Sequence, residues 1–283
     1  MKEVHWFPGH MKKALVQIEE RLKIVDCVIE LLDARIPLSS RNEYLYKISQ
    51  NKKRLVVLTK ADLADVKVTD KWINFFKENG FEAIFADLNN PKDIQKIIKS
   101  AEELGKEKHQ KEIARGMKPQ PIRAMIIGIP NVGKSTLINK IAKRKAASVQ
   151  NKPGHTRSQQ WIKVSQTFEL LDTPGILPSS YEDKSKAINL ALVGSIKDDI
   201  LPLDELANVL LTYLKEYYPN ELKNRFSLSS LNENHEIISD IAKSRGLLKV
   251  GGEDADRATK LLLNEFKAGK IGRISLEREV QCL

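Results

Sequence analysis

Residues 122–141 read IRAMIIGIPNVGKSTLINKI, and this stretch decides the fold. It matches the phosphate-binding pattern G-x-x-x-x-G-K-[ST], between a short apolar run and apolar residues at helical spacing. In such a loop, backbone N–H groups and a helix N-terminus bind phosphates. Lys134 is expected on the β- and γ-phosphates, and the Ser135 hydroxyl on Mg²⁺. The predicted nucleotide-contacting residues of this loop are Asn131, Val132, Gly133, Lys134, Ser135 and Thr136.

Composition narrows the class of protein. The 283 residues are 41% hydrophobic, enough for one large or two ordinary domains with a real core. The net charge of +10 is uneven, with +12 in residues 1–178 and −2 in residues 179–283. This favours a polyanionic partner such as nucleic acid, with a basic soluble enzyme as the alternative. No apolar run reaches about 18 residues, so we expect no membrane span. An N-terminus without an apolar signal segment and two cysteines without C-x-x-C spacing predict a cytoplasmic protein.

Strands alternating with helices along residues 1–178 predict an α/β domain with a mainly parallel sheet. The predicted strands are 27–33, 55–59, 81–86 and 125–127, followed by a hairpin of 161–164 and 168–171. The predicted helices of this half are 11–23, 44–49, one ending at 79–80, and a single charged helix in 92–118. Helical patterns at 185–196, 203–217, 233–245 and 254–268 predict an all-α second domain over residues 179–283.

Two further motifs follow the phosphate loop. Thr156 ends the loop 151–156 and fits the Mg²⁺ ligand that senses a γ-phosphate, with a surface threonine as the alternative. Asp172-Thr-Pro-Gly175 follows a predicted strand and fits Asp-x-x-Gly. Its Asp172 is expected on the Mg²⁺ shell and its Gly175 N–H on the γ-phosphate. The predicted metal ligands are Ser135, Thr156 and Asp172.

Base selection requires another element. Guanine presents N1–H and a 2-amino group as adjacent donors, and one carboxylate accepts both. The stretch Thr59-Lys60-Ala61-Asp62 is the nearest match to the Asn-Lys-x-Asp of GTPases. We expect Asp62 to bind the base and the Lys60 stem to stack on it, while Thr59 replaces the anchoring Asn. The alternative is an exposed aspartate at a helix start. Ala86 and Asp87 end the next strand and are expected to close the base pocket through backbone N–H groups.

The order of these motifs is informative. The base loops precede the phosphate loop, which gives the circularly permuted order 4-5-1-2-3. Residues 6–11, 33–37, 128–136 and 172–177 together resemble the ribosome biogenesis GTPase A family, YlqF-type permuted GTPases of the translation-factor-like class. Thr59, and His155 where a Thr or apolar residue is usual, depart from that family.

The resemblance implies a GTPase for late assembly of the large (50S) ribosomal subunit, with GTP or GDP, Mg²⁺ and K⁺ as candidate cofactors. It implies that the GTP form binds the immature particle and leaves after particle-stimulated hydrolysis. The implied partners are rRNA and ribosomal proteins, with the helical tail as an RNA-binding module. We expect a monomer.

The catalytic group is not next to the Asp-x-x-Gly motif. Ile176 and Leu177 follow it, and neither side chain can orient a water molecule. The resemblance assigns this role to His10, although a helix-start histidine without a catalytic part is the alternative and His5 is a competitor. Asn131 accompanies K⁺ activation in related GTPases, but it could also make only a structural hydrogen bond.

Two rival functions remain at this level. A small-molecule P-loop kinase would need no base-specificity loop, so the Thr59–Asp62 stretch argues against it. A non-catalytic, nucleotide-gated scaffold for a protein partner would show no rise in GTP turnover with ribosomal particles.

Overall fold

The structure, a computed structural model, describes residues 9–146, 161–177, 183–196, 201–250 and 252–279, without the side chains of 9–14 and 143–146. A six-stranded sheet organises its first half, in the order β3-β2-β1-β4-β6-β5. All neighbouring strands are parallel except the antiparallel hairpin of β5 and β6. The strands are β1 (Cys27–Asp33), β2 (Lys53–Thr59), β3 (Glu82–Ala86), β4 (Ile122–Ile127), β5 (Trp161–Lys163) and β6 (Phe168–Leu171). The predicted α/β class and the predicted hairpin are confirmed.

Helices cover both faces of this sheet. They are α1 (Gly9–Leu22), α2 (Glu43–Ile48), α3 (Val66–Glu78), α4 (Pro91–Leu104), α5 (Lys106–Ala114) and α6 (Lys134–Ala146). Alternate residues of β1 serve the two faces, as the pleat requires. Val28 and Leu32 pack in the clusters formed with α1, α2 and α3, whereas Ile29 and Leu31 pack in the cluster formed with α4 and α6. Burial on both faces explains the near-continuous apolar runs of the strands.

The prediction of one helix within residues 92–118 is wrong, because the chain breaks at Gly105 into α4 and α5. A Cβ at Gly105 would meet the Ile122 side chain at 2.2 Å, so only glycine lets the chain pass this close to β4. α4 buries Ile94, Ile97 and Ala101, while none of the residues of α5 is buried. The charged stretch is therefore one packed helix followed by one exposed helix.

The second half is helical, as predicted. Its elements are α7 (Lys184–Leu192), α8 (Leu203–Tyr217), α9 (Pro219–Phe226), α10 (Asn234–Ser244), a hairpin of β7 (Leu248–Lys249) and β8 (Gly252–Glu253), and α11 (Ala255–Lys267). The sequence did not predict α9, which begins at a proline and buries Leu222 and Phe226, or the two-residue strands of the hairpin. Within the described ranges, no helix has both the length and the apolar character needed to cross a bilayer.

The chain returns to the sheet half after α11. Residues 269–279, called here the C-terminal segment, are irregular and run along the loop that follows β2. The Ile274 N–H donates to the Leu63 carbonyl at 2.9 Å, and the Trp72 indole N–H donates to the Glu277 carbonyl at 2.8 Å. No periodicity in the sequence had indicated these contacts.

Candidate functional site

Four predicted motifs meet at one edge of the sheet. They follow β2, β3, β4 and β6, and the carboxyl ends of parallel strands share an edge. Their side chains line an open cavity of about 860 Å³. The predicted site residues that line it are Lys60, Asp62, Asp87, Asn131, Gly133, Lys134, Ser135, Thr136, Asp172 and Gly175. Thr59, Ala61, Ala86 and Val132 are buried directly behind this lining. Thr156 and the His10 side chain lie outside the described part of the chain.

The phosphate loop has the conformation that its glycines permit. Gly133 has φ +105°, and a Cβ there would meet the Leu88 side chain at 2.6 Å. Asn131 also has a positive φ of +62°, which asparagine tolerates better than most residues. Because α6 begins at Lys134, its N-terminal N–H groups and its positive dipole end face the cavity. The phosphate loop and the N-terminus of α6 together form an anion-binding site.

Lys134 is almost completely buried at the base of this loop. Its ammonium donates to the carbonyls of Gly128 at 2.8 Å and Ile129 at 2.6 Å. An ammonium has three donors, so one remains for a phosphate oxygen. Burial lowers the pKa of Lys134 to about 8, against the opposing charge of Asp172. A bound polyanion would offset the energetic cost of burying the charged ammonium.

Asp172 and Ser135 face the same cavity and offer hard oxygen donors of the kind Mg²⁺ prefers. Burial raises the pKa of Asp172, and the nearby Lys134 charge only partly opposes this. A divalent cation beside this half-buried carboxylate would offset that cost, so the donor set fits the metal. Gly175 closes over the loop, where a Cβ would lie 2.9 Å from Pro130 and from the Lys134 ammonium.

Thr59 joins the base loop, defined here as residues 59–65, to the phosphate loop. Its side chain is fully buried, and Oγ1 lies 2.7 Å from the Val132 carbonyl and 3.0 Å from the Leu32 carbonyl. The family's usual Asn is absent, yet the structure contains a hydrogen bond between the two loops. The hydroxyl has one proton, so it donates to one carbonyl at a time.

Lys60 is held on the other side by a buried charge. Its ammonium pairs with Asp33 at 2.9 Å, and Arg35 binds the same carboxylate through Nη2 at 2.8 Å. Burial alone would raise the pKa of Asp33, but these two cations outweigh it and hold that pKa well below its usual range. Lys60 has φ +55°, an uncommon conformation for a lysine. The 33–37 motif contributed to the family resemblance, but nothing in its sequence indicated that Asp33 anchors Lys60.

Asp62 opens into the cavity beside Asp87. Partial burial raises the pKa of Asp62, and the negative charge of Asp87 adds to this. The carboxylates of Asp62 and Asp87 are both hydrogen-bond acceptors, so this end of the cavity suits a ligand with adjacent N–H groups. The Asp87 N–H itself donates to Asp93 in the first turn of α4 at 2.9 Å, so it points to that helix and not to a base. The Ala86 carbonyl accepts from the Ala61 N–H at 3.4 Å and thus links the two base-side loops.

Ile176 is buried in the apolar cluster that contains Ile18 and Leu22 of α1. Its carbonyl accepts from Asn42 at 2.9 Å. A short connection joins α1 to the parallel strand β1, and the Asp26 N–H bonds to Arg123 at the start of β4. α1 therefore packs beside Ile176, the residue that follows the Asp-x-x-Gly motif.

Asn131 connects the phosphate loop to the helical half. Its side-chain amide donates to the Gly194 carbonyl, just after α7, at 2.7 Å. The Oδ1 atom of the same side chain, which is the atom a cation would use, is not part of that bond.

A phosphate loop, an Asp-x-x-Gly loop and an earlier base loop at one edge of a mainly parallel sheet define a circularly permuted P-loop GTPase fold. The family model described as 50S ribosome-binding GTPase matches residues 123–241.

Relatives extend this match to nearly the whole chain. Ribosome biogenesis GTPase A of Bacillus cereus is 48% identical over 97% of this chain and 93% of its own length. The Thermotoga maritima protein of the same name is 35% identical over 96% and 94%. The GNP-bound crystal structure of YlqF from T. maritima superposes with a TM-score of 0.63 at 30% identity, covering 94% of this chain and 98% of that one. The chain belongs to the ribosome biogenesis GTPase A family.

Proposed function

We propose that this protein is a GTPase of late large-subunit (50S) assembly, which binds the immature particle with GTP and leaves after particle-stimulated hydrolysis. The observation that carries this proposal is the joint opening of the phosphate loop and the Asp62 carboxylate into one cavity. The relatives' names place family members in ribosome biogenesis, and one solved relative is GNP-bound.

The phosphate end of the cavity holds the triphosphate. The N-terminus of α6 and the Lys134 ammonium bind the phosphates, and the N–H of Gly175, which lies beside Pro130, would meet the γ-phosphate. Ser135, Asp172 and Thr156 would hold Mg²⁺, which supplies charge neutralisation on the β- and γ-oxygens.

The base end selects guanine. Asp62 accepts from N1–H and from the 2-amino group, and the Lys60 stem stacks on the ring while Asp33 holds its ammonium. Thr59 sets the spacing of this end from the phosphate loop through its bond to Val132. Adenine lacks the two adjacent donors, so the same carboxylate disfavours it.

Hydrolysis needs a water molecule in line with the γ-phosphate, and buried Ile176 cannot orient it. His10 lies in the first turn of α1, the helix that packs against Ile176 through Ile18 and Leu22. We assign His10 to water positioning, in a competent placement that the ribosomal particle stabilises. Asn131 would ligate a K⁺ ion near the phosphates. That ion would supply positive charge, and no arginine is among the described residues that line the cavity.

The rest of the proposal concerns the partner and the setting. The +12 charge of residues 1–178 favours contact with rRNA, and exposed cations such as Lys249 would add local phosphate contacts from the helical half. A role in bacterial ribosome assembly would be carried out in the cytoplasm, and we propose that a monomer acts on each particle.

The test is the GTP turnover rate with and without immature large subunits, in KCl and in NaCl at equal ionic strength. Particles should raise turnover and K⁺ should exceed Na⁺ in the wild type, and Asn131→Ala should lose the K⁺ preference. His10→Ala should bind GTP and particles normally but lose about 10²–10⁴-fold of stimulated turnover. Replacing the exposed His235 of α10 by alanine is the matched control and should change nothing. No stimulation in the wild type would favour a non-catalytic scaffold.

A further inference from the structure

The C-terminal segment holds the base loop from outside the sheet half. The Arg273 guanidinium donates through Nη2 to the Ala61 carbonyl at 2.6 Å and through Nε to the Ala64 carbonyl at 2.9 Å. Between these two carbonyls, that of Leu63 accepts from the Ile274 N–H at 2.9 Å. Three carbonyls on either side of Asp62 thus accept hydrogen bonds from residues more than 200 positions later in the chain, namely those of Ala61, Leu63 and Ala64.

These contacts surround the residue that faces the base. Asp62 lies between the anchored Ala61 and Leu63, so the direction of its carboxylate follows from where their carbonyls are held. The second residue of the base loop, Lys60, has φ +55°, a conformation that persists only where the surroundings stabilise it. Gly269 adds a steric contact, because a Cβ there would meet the Leu63 side chain at 2.6 Å.

Arg273 does not serve the hydrophobic core. The residue is exposed, and its guanidinium makes the hydrogen bonds to the loop. The planar group presents two N–H donors at a fixed spacing, which lets one residue bridge the carbonyls of Ala61 and Ala64. Its removal should therefore change the loop and not the stability of the core.

We propose that Arg273 is a positioning residue for guanine recognition, acting through the base loop to aim the Asp62 carboxylate. This inference rests on the proposed guanine site. The C-terminal segment would then help to determine nucleotide specificity, although this segment lies outside every nucleotide motif in the sequence.

The test compares GDP with inosine diphosphate, which lacks the 2-amino group, in full-length wild type and Arg273→Ala. Misdirecting Asp62 weakens two contacts to GDP but only one to the inosine nucleotide. We expect the GDP affinity to fall about tenfold and the GDP-over-IDP preference to fall at least about threefold, within the range of one hydrogen bond to a charged group. Basal kcat should change little, because the phosphate loop is untouched, while KM for GTP rises.

Lys270→Ala is the matched control, because it removes an exposed positive charge from the same segment. The Lys270 side chain makes no hydrogen bond or ion pair to a described residue. Arg273→Gln keeps one donor and should fall between wild type and Arg273→Ala, which preserves the test if the alanine variant folds poorly. An unchanged preference, or an equal loss for both nucleotides, overturns the positioning role. A wild type that does not prefer GDP would instead contradict the proposed guanine site.

Discussion

Replacing Thr59 by valine tests whether a hydroxyl fixes the two nucleotide loops to each other. Valine keeps the shape of this fully buried side chain, so no cavity forms, but it leaves the carbonyls of Val132 and Leu32 without their shared donor. Loss of one buried hydrogen bond should lower the free energy of unfolding by about 1–3 kcal/mol. If about 1 kcal/mol of this fixes the loop spacing, the GDP affinity falls about fivefold.

The assays are urea unfolding and calorimetric GDP binding, with two companion variants. Thr59→Ser keeps the hydroxyl and should retain the affinity. Thr69→Val removes the hydroxyl of another buried threonine, which donates at 2.7 Å to the Asp65 carbonyl at the end of the base loop and not to the phosphate loop. The Asp65 carbonyl keeps a donor in this variant, because the Thr69 N–H also donates to it at 2.9 Å. Thr69→Val should cost stability without the fivefold loss of affinity. Equal GDP affinities for Thr59→Val and Thr69→Val would refute the reasoning.

Three further predictions concern the same cavity. Asp62→Asn should lose GTP affinity and gain affinity for the xanthine nucleotide, which presents the opposite pattern at position 2; unchanged GTP binding in calorimetry would contradict the base-loop assignment. Ser135→Ala should weaken binding with Mg²⁺ more than binding in EDTA, and equal losses would exclude the hydroxyl as a metal ligand. Because the pKa of Lys134 is about 8 in the free protein and phosphates should raise it, GDP affinity should be level below this pKa and fall as the pH rises through it. The expected loss between about pH 7.5 and 8.5 is about threefold in a binding titration, and a level profile would contradict it.

The sequence predicted most of the cavity because its motifs are local and follow strands. Each motif comes directly after an apolar run, and parallel strands bring their carboxyl ends to one edge. For this reason, motifs that are far apart along the chain could still be predicted to meet at one site. The single helix predicted for 92–118 failed because charged residues at helical spacing occur on both sides of Gly105, and the close approach to Ile122 that breaks the helix is a tertiary contact.

Other parts of the site depend on contacts between distant residues, which no local pattern encodes. Arg273 was only one more exposed arginine, and its bonds to Ala61 and Ala64 became visible only when the C-terminal segment was placed beside the base loop. The sequence has Thr59 where GTPases usually have Asn, so it did not show how the base loop is anchored. Whether a threonine hydroxyl reaches Val132 depends on the spacing of β2 from the phosphate loop.

The permuted order of the motifs explains why the helical half makes contacts at both ends of the cavity. The chain passes from Asp-x-x-Gly into the helical half and returns from α11 to the base loop, so the helical half touches the cavity at both ends. At the phosphate end, the Gly194 carbonyl accepts from Asn131, and at the base end Arg273 donates to Ala61. A partner that shifts the helical half would change both contacts together, because each is a direct hydrogen bond to a loop that lines the nucleotide cavity or supports it. Variants of Asn131 and Arg273 should therefore interact energetically with partner binding, whereas a substitution at the exposed His235 of α10 should not.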